Sequence, residues 1–177
     1  MTKTSLFAAL FVVALAGSAR AGGQAGSLGV GAEYMLNGAG GPSFNYDGGS
    51  FHVGAFFFLY DPQGRNNTTY GLGARFFYHV HSTTTSDFGI GAGFGLVSVP
   101  PGGAAVDRST LVYLEPGVQF RAFIVSNVAL SLTTGLTIGV VDASGVALTG
   151  QSISGSVIDL GQGVGVTAGA GVHYYFF

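Results

Sequence analysis

The 177-residue sequence predicts an all-β fold, an eight-stranded antiparallel up-and-down transmembrane β-barrel. Three observations carry this reading. Apolar residues recur with a period of two along several long segments, which argues strands with two chemically different faces and excludes helix there. Only 8% of residues are charged while 32 are glycine, whereas a soluble domain carries about 25% charge and about 7% glycine. Short connections alternate with longer ones along much of the chain. The glycines keep no three-residue period, so collagen is excluded, and 47% apolar content excludes a disordered chain. The absence of cysteine removes disulfide scaffolds, thiolate nucleophiles and cysteine metal sites.

The elements follow in chain order. Lys3, an apolar run from Leu6 to Ala16 and the small-x-small site Ala19-Arg20-Ala21 make residues 1–21 an expected signal peptide. Residues 22–177 form the expected single barrel domain. It keeps four arginines (Arg65, Arg75, Arg108, Arg121) against eight acids, a formal charge of −4. With no basic patch, nucleic acid is not an expected partner. Beyond the signal no stretch reaches the 18 or so apolar residues of a membrane helix.

The first strand, 27–36, sets Leu28, Val30, Ala32, Tyr34 and Leu36 against Gly29, Gly31, Glu33 and Met35. The tight-turn pair Asn37-Gly38 joins it to a short strand, 39–46. Strands 50–60 and 69–81 follow. In 87–98, Phe88, Ile90, Ala92, Phe94 and Leu96 face away from Gly89, Gly91, Gly93 and Gly95. Strand 109–123 contains Pro116, which cannot donate a ladder hydrogen bond; the phase persists through Glu115-Pro116-Gly117, so a local break without a register change is expected. Strands 127–141 and 163–177 alternate cleanly, with a long irregular segment, 142–161, between them. Connections 47–49, 82–86 and 125–126 are short, and 61–68, 99–108 and 142–161 are longer.

Every clear mid-strand charge (Glu33, Arg75, Glu115, Arg121) falls on the glycine-rich face, opposite the large apolar residues. A face of Gly, Ala, Ser and Thr without lysine makes a poor water-facing surface. Turned inward it suits the narrow lumen of an eight-stranded barrel, just wide enough for side chains to fill. The apolar face then meets lipid. Closure is required because an open sheet edge in hydrocarbon strands unpaired N–H and C=O groups. Aromatics near strand ends, including Tyr34, Tyr46, Tyr60, Tyr70, Tyr78 and Tyr174, match the interfacial girdles of membrane barrels.

The aromatic terminal run His173-Tyr174-Tyr175-Phe176-Phe177 resembles the assembly signal of outer-membrane β-barrel proteins. With it, the chain from residue 22 onward resembles the small OmpA/OmpX-type barrels of Gram-negative bacteria. The resemblance implies location in the bacterial outer membrane after export through the periplasm, with short turns inside and long loops outside. It implies Tyr174, Tyr175, Phe176 and Phe177 as the signal read by the barrel-assembly machinery, and outer-membrane lipid and lipopolysaccharide as neighbours. The loop at Asn37-Gly38 is short for an outer one.

Candidate functional residues are few. Glu33, Arg75, Glu115, Gln119 and Arg121 form a lumen polar cluster whose charges are expected to pair, since unpaired charge in a narrow interior is costly. One role is packing; the other is selectivity in a small pore through a glycine-lined lumen. His52, His79, His81 and His173 fall in the inward phase near strand ends, yet no carboxylate completes a metal site with the i, i+2 pair His79 and His81. His81 and Ser82, as strand neighbours, point to opposite faces and make a poor nucleophile–base pair. Gly91-x-Gly93-x-Gly95 lies within a strand and is no phosphate loop, and Asn66-Asn67-Thr68 is a sequon without the eukaryotic route it needs. The leading expectation is a non-enzymatic outer-membrane protein with an envelope-structural or surface-interaction role. No cofactor or metal is expected, and the soluble ligand is left undetermined. Alternatives are the small pore, a lipid-modifying enzyme and a secreted lipocalin-like carrier, which would stay in solution without detergent.

Overall fold

In a computed structural model of the chain, the alternating segments pair into one antiparallel sheet that closes on itself. The structure describes residues 24–35, 39–61, 67–100, 108–142, 156–161 and 164–176. Its strands are β1 (Ser27–Met35), β2 (Gly40–Asp47), β3 (Phe51–Tyr60), β4 (Thr69–Ser82), β5 (Ser86–Val99), β6 (Ser109–Val125), β7 (Val128–Asp142), β8 (Ser156–Gly161) and β9 (Val164–Phe176). Each of β1 to β6 pairs with the next, β7 pairs with β9, and β9 pairs back to β1. These eight staves are the expected barrel. The expected signal peptide, the Asn37-Gly38 turn and Phe177 lie outside the described residues.

The irregular segment supplies one more strand. β1 runs along β9 from Leu28 opposite Phe176 to Met35 opposite Gly169. Where β1 stops, β8 takes over the same edge of β9, with Ser156 opposite Thr167 and Gly161 opposite Val164. An otherwise bare stretch of strand edge is thereby paired.

Short connections gather at one end of the barrel, here the lower end, together with the first residue of β1 and the last of β9. In the β2–β3 turn Gly49 has φ +86°, a left-handed conformation that favours glycine. Its N–H donates to Asp47 Oδ1 at 2.8 Å, an Asx-type turn.

The two faces divide as the sequence implies. Leu132 (61% exposed), Phe94 (60%) and Leu28 (58%) point outward, whereas Arg75, Glu115, Gln119 and Arg121 are buried within. Outward aromatics gather near both ends: Tyr34, Tyr60 and Tyr70 above, Tyr46, Tyr78, Tyr174 and Phe176 below. Pro116 breaks the ladder locally. β6 keeps pairing with β5 through Ala92 opposite Pro116. Toward β7 the pairing resumes from Leu114–Ile138 to Gly117–Gly135 in unchanged register. One expectation fails: a register shift between His79 and His81 leaves His79 buried and turns His81 to the exposed side. The bulge inserts a residue, which reverses the facing of everything beyond it.

Candidate functional site in the barrel lumen

The inward side chains form three layers. The lowest centres on Arg121 of β6, 1% exposed. Its Nη2 donates to Asp47 Oδ2 of β2 and to Asp87 Oδ2 of β5, each at 2.8 Å, and Nη1 donates to the Tyr175 hydroxyl at 3.0 Å. His79 Nδ1–H donates to the Gly49 carbonyl at 2.7 Å. That leaves His79 Nε2 to accept from His52 Nδ1 at 2.8 Å, with Arg121 Nη2 3.0 Å away. One guanidinium thus gathers groups from β2, β4, β5 and β9.

The middle layer is built on Arg75 of β4. Its Nη1 pairs with Glu33 of β1 and its Nη2 lies 3.6 Å from Glu115 Oε1 of β6. The guanidinium stacks 4.1 Å from the centre of the Phe56 ring, a cation–π contact. Above it, Met35, Ala39, Phe56, Phe58, Val97, Leu111 and Tyr113 pack as a buried apolar plug. Gln119 joins neither arginine and donates to Thr133 Oγ1 at 3.0 Å.

The glycines do not leave the lumen open. Each of several faces a large inward side chain directly across the ladder: Gly71 opposite Phe58, Gly73 opposite Phe56, Gly93 opposite Arg75 and Gly95 opposite Tyr113. A Cβ at Gly73 would lie 2.5 Å from the Phe56 ring, and one at Gly95 would lie 2.5 Å from the Tyr113 hydroxyl. The glycine face is therefore a set of seats for bulky neighbours, a cross-strand pairing that fills the interior.

The structure divides the sequence-predicted cluster in two. Glu33, Arg75 and Glu115 come together, while Arg121 stands apart with Asp47 and Asp87, two acids outside the expected cluster. Asp47 is the last residue of β2 and Asp87 the second of β5, and both keep the inward phase of their strands. That phase, carried to the last strand residue, is the signal that would have found them. Of the terminal aromatics, Tyr174 and Phe176 face outward and Tyr175 inward.

No protein-family model and no curated protein matches the sequence. Among solved structures the chain is similar to the N-terminal β-barrel domain of Pseudomonas aeruginosa OprF. The TM-score is 0.62 and the identity 13%, over 86% of this chain and 98% of that one. It also aligns with Neisserial surface protein A, with a TM-score of 0.48 and 17% identity over 85% of this chain and 94% of that one. At such identity the OprF likeness speaks for the fold alone, a closed antiparallel barrel of eight staves.

Proposed function

We propose that the chain is an outer-membrane protein with a non-enzymatic, envelope-structural role and a barrel closed to solutes. The observation that carries this reading is the filling of the described lumen: the Arg121 layer, the Arg75 layer and the apolar plug follow one another along its length. The pore alternative drew on a glycine-lined passage, and those glycines lie beneath side chains. The OprF barrel likeness and the outward Leu, Phe and Tyr residues support outer-membrane location, with lipid and lipopolysaccharide around the wall. Export and delivery to the barrel-assembly machinery rest on the resemblance of residues 1–21 and of the terminal aromatic run. Against enzymatic use, His52 and His79 are hydrogen-bonded within the lower layer, while His81 and Ser82 are both exposed at the barrel rim.

The test is single-channel recording of the purified protein in planar bilayers. The closed reading expects no discrete conductance steps from the wild type. Wild-type steps that disappear in Arg75→Ala or Glu115→Gln would overturn it in favour of a narrow pore.

A further inference from the structure

The wall is closed by the ladder between the first strand and the last, and a second set of contacts crosses the same seam from inside. Tyr175 of β9 points inward and is 1% exposed. Directly opposite it in β1 is Gly29, where a Cβ would lie 2.9 Å from the tyrosine ring. The ring thus passes over β1, and its hydroxyl accepts from Asn45 Nδ2 of β2 at 3.4 Å and from Arg121 Nη1 at 3.0 Å. Two residues along β9, His173 repeats the arrangement. It faces Gly31 of β1, where a Cβ would lie 2.8 Å from the imidazole, and its Nε2 shares a 2.6 Å hydrogen bond with Ser43 Oγ of β2. The last strand therefore holds the second strand across the first, at two points where glycine leaves room.

Such contacts cannot precede closure. In an open sheet of the same strand order, β9 and β2 are six strands apart, about 29 Å at the usual spacing of about 4.8 Å. We propose that His173 and Tyr175 form an inner clasp whose engagement of Ser43 and Asn45 is the committing step of barrel closure. Alternation along β9 divides the work: Tyr174 and Phe176 face outward, and His173 and Tyr175 reach inward and fasten the seam.

The experiment refolds the full-length chain from urea into phosphatidylcholine vesicles with two readouts. Circular dichroism follows strand formation, and the mobility of unboiled samples on SDS gels follows closure. The double variant Ser43→Ala/Asn45→Ala removes the clasp's partners while leaving β9 and both glycines intact. Its strand signal is expected to keep wild-type timing while the closed band is delayed about tenfold. Tyr175→Phe keeps the ring over Gly29, loses only the hydroxyl, and is expected to show the same separation of the two signals. A closed band with wild-type timing in both variants would overturn the clasp. So would equal slowing, or joint loss, of both signals in both variants, since that marks general destabilisation.

Discussion

Arg121 shows most directly what this interior demands of a single residue. A guanidinium at 1% exposure is tolerable only because Asp47 and Asp87 neutralise it and the Tyr175 hydroxyl takes a further donor. The dependence is mutual, because the two carboxylates are also buried. Replacing Arg121 with methionine keeps most of the volume and strands both acids without a counter-ion. Breaking a buried pair from one side typically costs about 3–5 kcal/mol, so Arg121→Met should lower the urea midpoint of the vesicle-inserted barrel by a corresponding amount. The triple variant Arg121→Met/Asp47→Asn/Asp87→Asn should recover a large part of that loss, because no unpaired charge remains. If it were as unstable as the single variant, hydrogen-bond geometry rather than charge would be what Arg121 supplies.

At the scale of elements, β6 carries a proline that the barrel accommodates by interrupting one ladder. Pairing with β5 runs continuously past Pro116, so the missing N–H falls on the β7 side, where no pairing is made between Leu114 and Gly117. Pro116→Ala restores a donor toward β7 and should stabilise by about 0.5–1.5 kcal/mol, the net worth of one hydrogen bond, read as a higher urea midpoint. A lower midpoint would mean that the fixed proline φ contributes more than the bond. The unchanged register here was legible in the sequence, because the apolar phase persists through Glu115-Pro116-Gly117. Most strand positions were legible for the same reason: a one-residue slip would turn a whole apolar set toward the lumen. Elsewhere local pattern was insufficient. β8 lies in a segment without strict alternation and exists because β9 offers an edge beyond the end of β1. The outward turn of His81 comes from a bulge, and nothing in His79-Val80-His81 announces one. The candidate site was half legible: phase placed Arg75 and Arg121 inside, but which acids meet them depends on strand lengths and closure. The glycine seats likewise become visible only once register says which residue faces which.

Among the described residues, the arrangement is that of a soluble barrel turned inside out, with the buried ion pairs in the lumen and large apolar side chains outside. In the proposed outer-membrane setting such a wall faces hydrocarbon, where it needs no hydration and where closure satisfies the backbone. A substitution on the outer face can test which solvent the wall meets. Leu132 sits well inside β7 and is 61% exposed. In water, an exposed leucine is exchanged for arginine within about ±0.5 kcal/mol, and solubility would improve. On the lipid face of a membrane barrel the same change costs about 2–4 kcal/mol near the midplane. Leu132→Arg should therefore weaken the vesicle-inserted barrel by that amount and shrink the fraction of unboiled protein running as a heat-shifted closed band in the outer-membrane fraction. If the wild type instead appears in the soluble periplasm with no heat-dependent shift, and Leu132→Arg folds as well as it does, the faces have been assigned to the wrong solvents. The closed barrel would stand, its lumen and outer surface would exchange roles as candidate sites, and a carrier with an aqueous exterior would become the structure to explain.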